Sequence, residues 1–161
     1  STPLYSSAAS DVYKRQRYEL VGSGDSNYLR SCALKNGVAD RVVFKGQMKH
    51  QQVLEWIDSL DIYIQPSMQE GLPRALIEAM SRACPAIGSS TGGIPELLPS
   101  DAIFKRGNVD SLIKTFKTII ESDLDAKAKV NFNKAKEYEL EKLNSRRNVV
   151  YEQFKNYIIN E

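Results

Sequence analysis

The chain is poor in soft metal ligands. Among its 161 residues there is one histidine, His50, and two cysteines, Cys32 and Cys84. Neither cysteine belongs to a CxxC pair and neither has a histidine nearby, so a structural zinc site is not expected. A Ser-His-Asp triad would have to run through His50, which has no nucleophile elbow to serve; we read it as a polar residue near a helix start. Two isolated thiols without framework spacing suggest a reducing compartment, and a cytoplasmic location is the corresponding expectation. An excess of charge is missing too. Lys plus Arg number 22 against 20 Asp plus Glu, a balance of +2 that argues against a nucleic-acid partner. No apolar run approaches the roughly 20 residues that span a bilayer. The first residues lack the charge and apolar core of a signal peptide.

What remains is the make-up of an ordinary globular domain. The residues are 42% hydrophobic and 26% charged, enough for a core of its own. Residues 1–16 read differently, rich in Ser, Ala and Tyr and without strand or helix period. The string SSAASDVYKRQ resembles translated adapter sequence, so we set residues 1–16 apart as a tail and expect one domain over residues 17–161.

From Arg17 a regular alternation begins. Residues 18–21 predict a strand ending at Gly22-Ser23-Gly24. Residues 27–35 predict a helix with Leu29, Cys32 and Ala33 on one side and a stop at Asn36-Gly37. Val42, Val43 and Phe44 predict a second strand closed by Gly46. Residues 51–60 return as a helix on Val53, Leu54, Ile57 and Leu60, and residues 61–65 form a third strand broken by Pro66. Pro73 is expected at the first helical position, with Ala75, Leu76, Ala79 and Met80 facing inward. A fourth strand follows at residues 85–88, then the turn Thr91-Gly92-Gly93, a short strand at 102–104 and a helix at 109–121. Residues 123–159 read as helical with a break near Leu143-Asn144.

Strand and helix in alternation, with short loops, imply an α/β fold: one Rossmann-like domain with a parallel sheet flanked by helices and a helical C-terminus. Ligands in such sheets bind beyond the carboxyl ends of the strands. Here those ends are segments 22–24, 46–48, 66–73 and 89–93, rich in Gly, Ser and Pro.

Two motifs compete for attention there. Gly22-Ser23-Gly24-Asp25-Ser26-Asn27 starts like a dinucleotide fingerprint, but Asn27 stands where the third glycine belongs and no strand-end acid follows at ribose distance. A tight strand-to-helix turn is the better reading. The other motif is Glu70-Gly71-Leu72-Pro73-Arg74-Ala75-Leu76-Ile77-Glu78, with two carboxylates eight positions apart. A helix side chain leans toward the N-terminus, so Glu78 can point back to the mouth that Glu70 borders. A carboxylate accepts two hydrogen bonds and matches a vicinal diol such as a ribose. The N–H groups of Gly71, Leu72 and the first helical turn offer an anion site between them. The plainer alternative is a capping Glu70 and a solvated Glu78.

These segments together resemble the group 1 glycosyltransferases (family 4, GT-B fold). The resemblance runs through RYELVGSG at 17–24, DRVVFKG at 40–46, DIYIQPSMQEGLPRALIEAM at 61–80 and STGGIPELL at 90–98. It implies the C-terminal, nucleotide-sugar-binding half of that fold. Glu70, with the amides of Gly71 and Leu72, would hold the sugar hydroxyls of the donor, making Glu70 the catalytic-site residue. Glu78 would hold the ribose diol. Gly22 and Gly24 would border the ligand, and Gly46, Gln47 and Met48 would lie against the base. Pro73, Arg74 and Ala75 would present the helix N-terminus to the diphosphate, while Gly92 and Gly93 keep side chains out of the cleft.

The implied substrate is a UDP-, GDP- or ADP-sugar, with no cofactor and no metal, since positive protein groups stabilise the leaving diphosphate. The implied reaction is retaining transfer of a hexose or N-acetylhexosamine to a glycan or lipid-linked acceptor, serving polysaccharide biosynthesis. The sequence departs from the family in two ways. The first strand with its diphosphate-binding Arg and Lys, and the N-terminal acceptor domain, would precede Arg17, so the chain is expected to be inactive alone. Ala83-Cys84 stand where a helix-ending glycine is usual.

Two alternatives stay open: a non-catalytic nucleotide-binding module, and another enzyme on the same fold such as a nucleotide-sugar epimerase or a phosphorylase. The C-terminal cations (Lys127, Lys129, Lys134, Lys136, Lys142, Arg146 and Arg147) interleave with Glu137, Glu139 and Glu141. We read them as a solvated, salt-bridged face, with peripheral membrane contact as the alternative.

Overall fold

The computed structural model describes residues 16–159; the tail assigned to residues 1–16 therefore lies outside the described residues, Gln16 apart. Two compact units divide the chain, one up to Val53 and one from Leu54.

The first unit holds β1 (Tyr18–Val21), α1 (Asn27–Lys35), a 3-10 turn at Ala39–Arg41 and β2 (Val42–Gly46). β1 and β2 run parallel, with Tyr18 beside Val42 and Leu20 beside Phe44, and an irregularity in register between Leu20 and Val21. Helix α1 follows a turn in which the Asn27 N–H donates to Asp25 Oδ1 at 2.9 Å. Of its expected inner face, Ala33 is buried and Cys32 half-buried, whereas Leu29 is 44% exposed. Helix α2 (His50–Ile57) straddles the division. It is shorter than the sequence period suggests: Ser59 and Leu60 donate to the carbonyls of Trp56 and Ile57, a 3-10 tightening that ends it before Leu60.

The second unit is built on β3 (Tyr63–Gln65), β4 (Ala86–Ser89) and β5 (Ile103–Phe104), all parallel and in that order. β4 lies in the middle and is buried at every position. The third strand begins at Tyr63 rather than Asp61, because its ladder on β4 starts where Tyr63 pairs with Ala86. Around this sheet stand α3 (Arg74–Ser81), the short α4 (Ile94–Leu97), α5 (Val109–Ile120) and α6 (Leu124–Ala135); α7 (Leu140–Ile159) follows with none of its residues buried. Leu76, Met80, Ile87, Ile94, Phe104 and Ile119 make the centre of one core. Gly88 in β4 is required by that packing: a Cβ there would meet Ile94 Cγ2 at 2.5 Å. Parallel strands flanked by helices, with a helical C-terminus, are what the sequence predicts.

Three local expectations are corrected. Pro73 is not the first helical residue but the cap, with φ −76° and ψ 100°, and its carbonyl accepts the first helical bond from Ile77. Ala75 is exposed, and Ile77 packs on the core instead. The C-terminal helices do not break near Leu143-Asn144. They break at a 3-10 turn, Lys136–Tyr138, followed by Glu139 at ψ 141°. Tyr138 packs against the core there, and the Leu143 N–H takes up the Glu139 carbonyl to start α7. On this stretch Lys134 pairs with Glu137 at 2.9 Å and Lys142 with Glu139 at 3.2 Å, the salt-bridged face read from the sequence.

Candidate functional site

In the first unit the carboxyl ends of β1 and β2 meet. Gly22 donates its N–H to the Gly46 carbonyl at 2.9 Å. Gly46 has φ +69°, a left-handed conformation that ends the strand and turns the chain toward α2. Gly22, Gly24 and Gly46 line one cleft of ≈ 320 Å³ with Asp25, Arg30 and Phe44. The Arg30 guanidinium lies 4.2 Å over the Phe44 ring, so one wall is a stacked cation and aromatic pair. Gln47, exposed, and Met48, half-buried, follow on the loop to α2 and are not part of the cleft's lining.

In the second unit the loop after β3 carries the first of the two glutamates. Glu70 is half-buried, and its Oε2 accepts from Ser67 Oγ at 2.9 Å and from Gln65 Nε2 at 3.2 Å. Oε1 has no partner among the described residues. Gln65 in turn accepts at Oε1 from the Tyr63 hydroxyl at 2.7 Å. The backbone beneath is tied down by the buried Ser89, whose hydroxyl donates to the Ser67 carbonyl at 2.6 Å.

The glycine pair is placed for a reason the sequence did not supply. Gly93 donates its N–H to the Gly71 carbonyl at 2.7 Å. A Cβ on Gly92, itself at φ +52°, would stand 1.9 Å from the Glu70 carbonyl oxygen. The two glycines thus let loop 91–93 press directly on the backbone of residues 70–71.

Helix α3 opens from this loop. Its cap is a proline with no side-chain hydrogen bond to offer, so its first-turn amides are not capped by a side chain. Among the described residues the N–H groups of Gly71 and Leu72 also have no acceptor. Uncapped amides at the positive end of a helix form a place for an anion. Arg74 is exposed on the first turn, and Glu78 is half-buried in the second. Residues 70–74 are therefore brought together at one junction, with Glu78 one turn beyond.

Three residues at this mouth were not singled out from the sequence. Gln65 and Ser67 read as a strand end and a loop residue; nothing in their spacing marks them as partners of Glu70. Arg106 follows β5 and reaches back, its Nη1 donating to the Met68 carbonyl at 3.3 Å and its N–H to Ser90 Oγ at 3.1 Å. Its place at the carboxyl edge of the sheet was the available signal. Among the described residues no three His, Cys, Asp or Glu side chains cluster as metal ligands, and no helix is long and apolar enough to cross a membrane.

Known proteins resemble this chain along most of it. Over 97 residues it is 37% identical to protein CapJ of Staphylococcus aureus, a match covering 60% of this chain and 25% of that protein. Over 119 residues it is 33% identical to the gpi3 subunit of phosphatidylinositol N-acetylglucosaminyltransferase from Schizosaccharomyces pombe, covering 73% and 26%. The chain spans about a quarter of the length of these curated relatives. The crystal structure of Anabaena HepE in complex with UDP shares the fold, with a TM-score of 0.72 over 87% of this chain and 41% of that one at 19% identity. The family model for glycosyl transferases group 1 matches residues 4–138. A match of that extent decides the family, and the chain belongs to the group 1 glycosyltransferases.

Proposed function

We propose that this chain is the nucleotide-sugar-binding part of a retaining glycosyltransferase that moves a hexose or N-acetylhexosamine to a glycan or lipid-linked acceptor. The observation that carries the reading is the junction at residues 70–78. A carboxylate is held by two hydrogen bonds with one oxygen open, beside free amides and an uncapped helix N-terminus. In this reading Glu70 Oε1 and the amides of Gly71 and Leu72 bind hydroxyls of the sugar. The N-terminus of α3, with Arg74 and Arg106, takes the diphosphate and stabilises its charge as it leaves, without a metal. Glu78 takes the ribose diol. In the first unit, taken by itself, the cleft at Gly22, Gly24 and Gly46 and the following Gln47 and Met48 are the candidate contacts for a nucleotide base.

Membership of the family supports transfer chemistry, and the HepE structure with UDP supports a nucleotide diphosphate as the leaving group. The support for retention of anomeric configuration is the resemblance to family 4. The acceptor is positioned by other parts of the whole protein, since transfer needs both reactants held in register. The test is an equilibrium titration of the chain with UDP-, GDP- and ADP-sugars beside a Glu78→Ala variant. One base should give saturable binding that the variant loses. Equal binding by the variant contradicts the ribose assignment.

A further inference from the structure

We propose that Gln65 is a positioning residue for Glu70, and that the relay Tyr63–Gln65–Ser67 fixes which carboxylate oxygen faces the sugar. The proposal rests on the assignment of Glu70 to the sugar and adds the device that aims it.

The relay has a single direction. Tyr63 and Gln65 are two positions apart on β3, so their side chains leave the same face of the sheet. The Tyr63 hydroxyl donates to Gln65 Oε1 at 2.7 Å, and a carbonyl oxygen can only accept. That contact fixes the orientation of the amide, and Nε2 is turned toward the loop. There it donates to Ser67 Oγ at 2.9 Å and to Glu70 Oε2 at 3.2 Å. Ser67, accepting from Gln65, has its one proton left for Glu70 Oε2, at 2.9 Å. Both hydrogen bonds fall on the same oxygen. A glutamate on a loop would otherwise sample several rotamers; here its carboxylate is pinned on one side, and Oε1 is presented to whatever binds beside it. The strand holds Tyr63 and Gln65, and the buried Ser89 holds the Ser67 backbone, so the aim of a loop residue is set by rigid elements.

A relay of this kind affects recognition of the sugar and leaves recognition of the nucleotide alone. The experiment compares the full chain with its Gln65→Leu, Gln65→Glu, Ser67→Ala and Glu70→Ala variants. Each is titrated with UDP and UDP-glucose, GDP and GDP-mannose, and ADP and ADP-glucose. The quantity read is the preference for the sugar conjugate over the bare diphosphate, with diphosphate affinity and melting temperature as controls for folding. Gln65→Leu and Ser67→Ala should each cut that preference about five- to tenfold, the worth of one hydrogen bond, with diphosphate affinity unchanged. Gln65→Glu keeps the shape but replaces the amide donor with a carboxylate that can only accept, beside the Glu70 carboxylate, so it should lose at least as much as Gln65→Leu.

An unchanged preference in Gln65→Leu and Gln65→Glu, with Glu70→Ala abolishing it, overturns the positioning role and leaves the donor site standing. A preference that survives Glu70→Ala, or is missing in the unaltered chain for every pair, overturns the donor assignment itself and this proposal with it.

Discussion

Replacing Ala83 by glycine should stabilise the second unit. Helix α3 ends in a Schellman arrangement: the Ala83 N–H bonds the Met80 carbonyl at 3.0 Å, and the Cys84 N–H bonds the Ala79 carbonyl at 3.1 Å. That geometry needs a left-handed residue at position 83, and Ala83 has φ 57°. A side chain there costs roughly 1–2 kcal/mol, because its Cβ crowds the following carbonyl. Ala83 is exposed, so losing its methyl forfeits little burial. Against the gain stands the larger conformational freedom of glycine in the unfolded chain, about 0.4–1 kcal/mol. The balance is a stabilisation of about 0.5–1 kcal/mol, or a rise in melting temperature of roughly 2–4 °C. Urea unfolding followed by the single tryptophan, Trp56, reports on the unit, because Trp56 lies on its side of the division in α2. With a slope near 2 kcal/mol/M the midpoint should rise by about 0.3–0.5 M. Ala83→Val should move it the other way, since a branched side chain fits the left-handed region worse. A midpoint that falls in Ala83→Gly would rule out strain at Ala83.

Other substitutions probe the same frame. Gly92→Ala places a Cβ 1.9 Å from the Glu70 carbonyl oxygen at a left-handed residue, so it should destabilise by about 2–4 kcal/mol or displace the Glu70 loop. Thermal unfolding measures the first outcome and loss of nucleotide-sugar binding the second. Asn131, buried in α6, donates from Nδ2 to the Cys84 carbonyl at 3.0 Å; Asn131→Leu should cost about 1–3 kcal/mol by stranding that carbonyl, measurable by urea titration. Burial pushes the Cys84 thiol up to about 11. Its alkylation by iodoacetamide at pH 8 should therefore be far slower in the native chain than in denaturant. Because its folded value is the higher one, stability from this group is full below about pH 9 and is lost as pH rises through about 11.

The sequence exposes the fold where local pattern and tertiary packing agree. Strands 18–21 and 42–46 are bounded by glycines whose conformations end them, and both bounds are found in the structure. Bounds fail where a partner sets them. Asp61 and Ile62 carry strand-like character but have no ladder, because β4 offers its first pairing to Tyr63. The helical break at Lys136–Tyr138 falls where the half-buried Tyr138 packs against the core, which a run of alternating charges does not disclose. Helix α4 is only four residues with a proline inside, too short for a period to register. The strand alternation also leaves the pairing open, and the strands pair in two parallel sheets.

The site divides in the same manner. Glu70 and Glu78 stand out through their spacing around Pro73, a local property. The hydrogen bonds that hold Glu70 come from Gln65 and Ser67, whose roles depend on side-chain directions at the end of a strand. Ala83 was legible as an uncomfortable left-handed turn, and its φ is left-handed.

The central claim is that Glu70 and Glu78 read the two ends of one nucleotide sugar. Its most direct test is a crystal structure of the chain with the nucleotide sugar that titration selects. The ribose diol should lie on the Glu78 carboxylate, a sugar hydroxyl on Glu70 Oε1, and the diphosphate at the first turn of α3. A ribose bound away from Glu78, or a diphosphate away from that helix N-terminus, would contradict it.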